Sequence, residues 1–345
     1  MKLSALGRSA FDQKRDERSR EWIAAVRAGD FARAWEISDA DLATIGAAAV
    51  KHEGPRHFQR IWRGEPLAGR RVLVRCYHGL GDTIQFSRFM SPLRAIASQV
   101  IVWCQPELLP LIAAVAGVDR VLPLHNGTPE AEFDVDIEIM EVPHAIRATR
   151  EQVEMRCPYL RPTQADDSEE CIPTGVVAIG VMWDVGDWDR RRVIPAGLLR
   201  HLNHPRAQLY SLQRGNVFEA VREIGAIDFS TPHIDVLASR LQKLDLCICP
   251  DTMIAHLSAA LGCETWVMLH ADCDWRWPII GSTTLWYPSA RLFRQNVPGD
   301  WRSVVAEIRS AISRKVGQAE AINKLMAQQS SGSADAFGGE DGSCN

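Results

Sequence analysis

The sequence lacks any apolar run close to the ~20 residues that a membrane-spanning helix requires. It also lacks an excess of positive charge, because 39 lysines and arginines stand against 43 aspartates and glutamates, for a formal net charge of -4. Residues 1–20 are rich in charge and contain no apolar core segment, which argues against a secretory signal. These absences predict a cytoplasmic protein with no transmembrane segment and no nucleic-acid partner.

The nine cysteines lack the spacing of a zinc site. Cys76, Cys104, Cys247 and Cys249 lie in apolar runs with the character of strands, where a free cysteine acts as a small hydrophobic residue. Cys247 and Cys249 would share one face of a strand, but no second close pair completes a ligand set. The cysteines therefore predict buried thiols in a reducing compartment, with no metal and no cofactor.

Hydrophobic residues make up 46% of 345 residues, which suits a folded protein of two domains with appendages. The patterns at 21–28, 31–37 and 39–50 predict short helices, and we expect these helices to pack on the next domain or on a protein partner. The composition predicts four regions: a helical appendage at 1–60, an acceptor-side domain at 61–165, a nucleotide-sugar domain at 166–317 and a disordered tail at 318–345.

Strand and helix patterns alternate through the two central regions. In the first they predict strands at 72–74, 100–104, 120–124 and 133–139, with helices after 82 and at 106–116. In the second they predict strands at 176–182, 208–212, 244–249 and 265–269, with helices at 195–202, 235–241, 252–261 and 301–312. This alternation predicts an α/β protein with two Rossmann-like domains that face across a cleft, each a parallel sheet with helices on both faces.

The first candidate site is Gly79-Leu80-Gly81-Asp82-Thr83, which lies between a strand and a helix. Glycines allow a sharp turn and a close approach to a ligand, and a helix start favours phosphate. The full dinucleotide fingerprint and the P-loop are both missing. The simpler interpretation is that Asp82 caps its helix.

The second candidate site is the segment 250–256, which includes Asp251, Thr252 and His256. It follows an apolar strand and opens a helix, so it lies at the carboxyl edge of a sheet, where open α/β sheets bind ligands. His256 lies one turn into the helix on the face of Thr252. The alternative is that these residues cap and fill the helix.

The third candidate site is Arg190-Arg191-Arg192, after the strand at 176–182. Arginine suits bidentate contacts to a diphosphate, and Trp183 and Trp188 offer planes for stacking. A solvated charge run is the simpler alternative. Three Asp-x-Asp triplets, at 134–136, 187–189 and 272–274, match a pattern that holds Mg²⁺ or Mn²⁺ elsewhere, but the pattern arises readily by chance among 43 acidic residues.

An ordered set of motifs resembles the heptosyltransferase family, glycosyltransferase family 9. Segment 79–86, Ser211-Leu212-Gln213-Arg214-Gly215 and segment 251–262 carry the likeness. The set also resembles in particular the bacterial branch often fused to tetratricopeptide repeats, through Asp274-Trp275-Arg276-Trp277 and segments 286–288, 291–295 and 299–301. The likeness runs from about Trp62 to Ile312.

The resemblance implies a GT-B fold and an inverting, metal-independent transfer from a nucleotide-diphospho-sugar, with ADP-heptose the family's best-known donor, to a glycan or protein acceptor. It implies that Asp82 is the general base. It implies donor contacts by Arg191, Arg192, Gln213, Asp251, Thr252 and His256, together with the turn at Gly79, Gly81 and Thr83.

Two segments depart from the family pattern. The segment Trp183–Asp187 is longer and more acidic than the usual Trp-x-Gly turn, and Tyr77-His78 replaces Glu-Gln, so that His78 is a second candidate base. Two other functions remain open from the sequence: a nucleotide-sugar-binding or scaffold module without catalysis, and a GT-B sugar epimerase.

Overall fold

The described residues form two parallel β-sheets with helices between and around them. The computed structural model describes residues 10–45, 55–56, 59, 61–154, 157–165, 172–187 and 189–334 of the chain. Trp188, residues 166–171 and the end of the predicted tail at 335–345 lie outside these ranges.

The strands all belong to one of the two sheets, and they are β1 (Arg71–Arg75), β2 (Gln99–Cys104), β3 (Arg120–Pro123), β4 (Val135–Glu138), β5 (Val177–Val181), β6 (Ala207–Ser211), β7 (Ile227–Asp228), β8 (Leu246–Pro250), β9 (Thr265–Leu269) and β10 (Ala290–Arg294). The α-helices are α1 (Ala10–Ala28), α2 (Phe31–Ile45), α3 (Leu80–Phe86), α4 (Met90–Ile96), α5 (Leu109–Ala113), α6 (Val142–Ala145), α7 (Arg150–Val153), α8 (Phe218–Ile224), α9 (Ile234–Lys243), α10 (Met253–Ala260) and α11 (Trp301–Ala334).

Each sheet has a point where its strand order reverses. The first sheet has the order β3-β2-β1-β4, so the chain runs outward from β1 and then returns to its other side. The second sheet has the order β10-β9-β8-β5-β6-β7, and its order reverses between β5 and β8. All pairings are parallel. The crevice at the carboxyl end of such a reversal is the usual ligand site of open α/β sheets.

The sequence prediction of a parallel α/β fold with two sheets is confirmed, and several elements differ from it. The predicted helix at 195–202 is a 3₁₀ helix at Ala196–Leu202, while α8, β7 and β10 were not predicted. The predicted helices at 31–37 and 39–50 are one helix, α2. Within α2 the Ser38 hydroxyl accepts a hydrogen bond from Trp22 Nε1 of α1 at 3.1 Å.

The closing helix α11 begins at Trp301, as predicted, and continues to Ala334. Disorder was predicted from residue 318 on the basis of glutamine, serine and glycine content. Seven of the nine residues at 319–327 are alanine, glutamate, lysine, leucine or methionine, which are all strong helix formers, and so this segment extends the helix instead.

The main hydrophobic core contains residues of both sheets. Ile84 and Phe86 of α3 and Ala255 and Leu257 of α10 belong to this one cluster. A second core lies between the other face of the second sheet and α11, so this sheet is covered by helices on both faces.

The outer face of the first sheet does not carry the helices that the alternating pattern predicted. Leu73, Ile101, Trp103 and Leu122 on this face pack against loop residues, which are Tyr77, Leu124, Ala131 and Phe133. The physical reason is the connection from β3 to β4, which the described chain makes without a helix.

The N-terminal hairpin of α1 and α2 contacts the segment after β4 and the segment between β9 and β10. Trp35 Nε1 donates to the carbonyl of Ala148 at 2.8 Å. The Trp22 ring lies edge-on to Trp275 at 5.0 Å between centroids. The hairpin therefore packs on the rest of the chain, as predicted, whereas a protein partner for it stays a prediction. Every helix among the described residues is too short or too polar to cross a membrane.

Candidate functional site

The helix starts after β1 and β8 contact each other directly. Gly81 of α3 lies against α10, and a Cβ atom at this glycine would lie 2.9 Å from His256 Cδ2 and 3.4 Å from Met253 Cα. The sequence predicts that the glycine makes room for a ligand. In the structure the lack of a side chain instead allows the second helix to approach.

Asp82 is held in the first turn of α3 by two partners. Its Oδ2 accepts a hydrogen bond from the Gly79 amide at 2.9 Å. Gly79 is the N-cap residue, and Asp82 caps the helix from its third position. Its Oδ1 accepts a hydrogen bond from the guanidinium of Arg276. Each carboxylate oxygen keeps a further lone-pair direction, so an additional donor can still approach.

Arg276 connects the two carboxyl edges, and the sequence motifs did not identify it as a site residue. Its Nε donates to Gln85 Oε1 at 2.7 Å and its Nη1 donates to Asp274 Oδ1 at 2.9 Å. The side chain is only 10% exposed. The signal in the sequence was a cation between two tryptophans, Trp275 and Trp277, a setting that indicates burial. A buried guanidinium needs carboxylate partners.

A cavity of about 260 Å³ lies at the carboxyl end of the second sheet, where its strand order reverses. The structure brings together here three residues predicted separately, Arg191, Arg192 and Asp251. Arg192 Nη1 donates to the carbonyl of Asp251 at 2.7 Å, which joins the loop after β5 to the turn after β8. The remaining lining residues are Asp189, His270, Asp272, Cys273 and Asp274.

The guanidinium of Arg191 is occupied by carboxylates of the same cavity. It contacts Asp189 Oδ2 at 2.8 Å and Asp272 Oδ2 at 3.0 Å. The hydrogen bond from Arg191 lowers the pKa of Asp189 to about 2. Burial and the neighbouring Asp274 raise the pKa of Asp251 to about 6. An anionic ligand in this cavity therefore competes with aspartates for Arg191.

The Asp-x-Asp triplets have two different surroundings. Asp134 and Asp136 of the first sheet pair with Arg71 and Arg75. Asp189, Asp272 and Asp274 line the cavity described above. No group of three or more possible ligands is arranged to hold a metal ion in the part of the chain that the structure describes.

Three predicted donor contacts lie in buried or supporting positions. Thr83 is fully buried, and its hydroxyl donates to Gln105 Oε1 at 2.9 Å. Gln213 Oε1 accepts from the amide of Asp184 at 2.9 Å and so holds the loop after β5. The Thr252 side chain makes no capping bond to α10 and instead donates to the carbonyl of Pro250 at 3.2 Å.

His256 is buried against the first sheet's helix and does not line the cavity. Its Nδ1 lies 2.9 Å from Tyr287 Oη, and its ring stacks on Trp277 at 5.7 Å between centroids. Burial, reinforced by Arg276, lowers the pKa of His256 well below its usual value, so the ring is neutral. We assign this residue to packing between α3 and α10.

His78 and Glu138 form a pair at the strand reversal of the first sheet. His78 Nε2 lies 3.8 Å from Glu138 Oε2. The carboxyl of Glu138 is buried and accepts from the Met140 amide at 2.7 Å. Burial raises the pKa of Glu138 to about 8, and the nearby Glu141 and Asp82 act in the same direction. None of the sequence motifs includes Glu138.

The fold and site define a parallel α/β protein in which the carboxyl ends of two sheets meet beside a cavity lined with arginines and aspartates. No family model and no curated protein matches the sequence.

The chain is similar to solved structures of glycosyltransferase family 9 and of heptosyltransferases, the family that its motifs resemble. A family 9 glycosyl transferase from Veillonella parvula DSM 2008 is 13% identical, with a TM-score of 0.49 over 73% of this chain and 98% of that one. ADP-heptose LPS heptosyltransferase II of E. coli is 14% identical, with a TM-score of 0.49 over 71% and 99%. Heptosyltransferase WaaC of E. coli with ADP-2-deoxy-2-fluoro heptose is 14% identical, with a TM-score of 0.47 over 71% and 99%. The function proposed below rests on the site itself.

Proposed function

We propose that the chain is an inverting, metal-independent glycosyltransferase that uses a nucleotide-diphospho-sugar, with its two sheets in a GT-B arrangement. One observation carries this proposal: a carboxylate after β1, Asp82, lies one guanidinium away from the arginine-lined cavity after β5 and β8. A base and a site for a diphosphate are thus adjacent, as a direct displacement at a sugar carbon requires.

In the proposed reaction Asp82 takes the proton of an acceptor hydroxyl. The hydroxyl oxygen attacks the anomeric carbon from the face opposite the diphosphate, and the carbon–oxygen bond to the diphosphate breaks with its electron pair on the departing oxygen. The acceptor is a glycan or a protein. His78, which lies on the same loop beside Glu138, is the second candidate base.

Arg191 and Arg192 stabilise the departing diphosphate in this proposal. Two guanidinium groups supply the charge that a metal ion supplies in other transferases. Asp251 and the loop that Gln213 holds shape the same cavity, whereas Thr83, Thr252 and His256 position the turns. Arg191 can bind phosphate only when its ion pairs with Asp189 and Asp272 break.

The test of Asp82 is an Asp82→Asn variant, in which the amide oxygen can still cap α3. We expect donor binding to persist while kcat falls by about 10²–10⁴-fold, the usual contribution of a general base. The rate is measured as the release of nucleoside diphosphate during sugar transfer from ADP-heptose and from a panel of other nucleotide sugars.

Asp274→Asn is the matched variant, because it removes the other carboxylate from the same guanidinium. Asp274 lines the cavity after β5 and β8, which we call the donor cavity. We therefore expect Asp274→Asn to change KM for the donor more than kcat. A wild-type kcat in Asp82→Asn would remove Asp82 as the base.

One observation favours a second candidate, a nucleotide-sugar-binding module without catalysis. Arg276 is paired with Asp82, and Arg191 is paired with Asp189 and Asp272. A site without turnover would tolerate these ion pairs. Calorimetry that detects donor binding, with no turnover across donors and acceptors, would favour this module over the transferase.

A further inference from the structure

A second cavity, of about 290 Å³, is lined in part by Arg276. It is enclosed by the end of α1, the start of α7 and the segment 276–286. Its lining includes Arg27, Arg150, Arg276, Thr283, Thr284 and Trp286. None of the sequence motifs points to this cavity, because its walls come from three distant parts of the chain.

The ionisable residues that line this cavity are all arginines. Arg27 donates from Nη2 to the carbonyls of Cys273 and Asp274 at 3.0 and 3.2 Å, and within the described ranges it has no carboxylate partner. Arg150 contacts Glu154 through Nε at 2.7 Å, and its side chain is 52% exposed. Arg276 and Arg150 already have carboxylate partners. Arg27 is therefore the cation that an oxyanion in this cavity would complement, with the half-exposed Arg150 lining the same cavity.

We propose that this cavity binds an anionic group of the acceptor, a phosphate or a carboxylate carried on a sugar. This inference rests on the proposed transferase function. The volume is at the lower end of the range for small-molecule sites, roughly 300–1,000 Å³, so it suits one sugar unit with its charged group. Trp286 and the hydroxyls of Thr283 and Thr284 supply an apolar wall and neutral hydrogen-bonding groups beside the arginines.

Arg276 connects this anion site to the proposed base. The same guanidinium lines the cavity and pairs with Asp82. An acceptor anion bound between Arg27 and Arg150 competes with Asp82 for Arg276. Binding of the acceptor thereby frees Asp82 Oδ1 to accept the proton of the acceptor hydroxyl.

The test measures direct binding of three probes to the full chain by calorimetry, without donor: glucose 6-phosphate, glucuronate and glucose. We expect one or both anions to bind and glucose not to bind, and the comparison of the two anions identifies the preferred group. Arg150→Met should weaken anion binding about tenfold, the loss of one charge-assisted hydrogen bond. Raising the salt concentration should weaken it as well.

Two further variants separate binding from folding. Glu154→Gln releases Arg150 and should tighten anion binding, a gain that a damaged fold would not produce. Arg33→Met removes an exposed arginine of the same hairpin, outside the cavity, and should leave binding unchanged.

Equal binding of glucose, or anion binding that is the same in Arg150→Met and Glu154→Gln as in the wild type, would overturn the proposal. Sugar transfer with no binding of either anion would also overturn it and leave the transferase standing. Anion binding that follows the two variants, in a chain that turns over no donor, would retain the anion site and refute the transferase.

Discussion

At the scale of single residues, the buried carboxyl of Glu138 makes a prediction about pH. Burial raises its pKa from 4.5 to about 8 in the folded chain. Between these values the folded state holds a proton that the unfolded state has lost, so the free energy of unfolding falls as pH rises through this window. Glu138→Gln carries no such proton. We therefore expect the wild type to lose about 3 kcal/mol relative to the variant between pH 5 and pH 8, as measured by urea unfolding.

Asp134→Asn is the control for this measurement. A hydrogen bond from Arg71 lowers the pKa of Asp134 to about 2, so the contribution of this carboxylate is lost only as pH falls below its unfolded value of 3.8. Between pH 5 and pH 8 the stability difference from wild type should stay constant. A constant difference for Glu138→Gln as well would show that Glu138 ionises normally in the folded state.

Individual site residues show what the local sequence can and cannot predict about the site. Asp82, Arg191 and Asp251 follow strands, and the position after a parallel strand is itself the signal. Arg276 and Glu138 depend on partners far along the chain, Asp82 for one and His78 for the other. No local pattern records such pairs, so these two were missed.

At the scale of elements, the contact between α3 and α10 depends on Gly81. A methyl group at this position would lie 2.9 Å from the His256 ring and 3.4 Å from the backbone of Met253. We expect Gly81→Ala to push the helices apart and to destabilise the fold by about 1–3 kcal/mol, the usual cost of overpacking. Urea unfolding measures this loss directly.

Gly317→Ala is the matched substitution in α11. A Cβ there meets nothing within 4 Å, so the change should stabilise the helix by about 1 kcal/mol. If Gly81→Ala were as stable as the wild type, the two helices would not be in contact in solution.

The inner strands β8 and β9 of the second sheet were easier to predict than the contacts of the N-terminal hairpin. β8 and β9 are buried along their whole length, and such strands read as continuous apolar runs. The hairpin contacts the rest of the chain through Trp22 and Trp35, whose partners there are Trp275 and the Ala148 carbonyl. Helical periodicity predicts that the hairpin has an apolar face that packs against another surface, but it does not indicate which surface that is.

At the scale of the whole molecule, the main core joins the two sheets into one hydrophobic cluster. Side chains of α3 and α10 contribute to the cluster together with Trp35 and Trp286. A chain with two sheets would show two unfolding transitions if each sheet had a separate core. The shared cluster predicts one transition, because neither sheet can unfold without exposing the apolar surface of the other.

Trp35→Ala tests this coupling from the hairpin. The ring is 7% exposed, it stacks at 6.0 Å on Phe31, and its Nε1 bonds to the Ala148 carbonyl. Loss of such a side chain costs about 3–5 kcal/mol. We expect the whole transition to shift to lower urea, with tryptophan fluorescence and far-ultraviolet circular dichroism still coincident. If the variant instead unfolded in two steps, with the second step at the wild-type midpoint, the hairpin would be an independent unit that is not coupled to the two sheets.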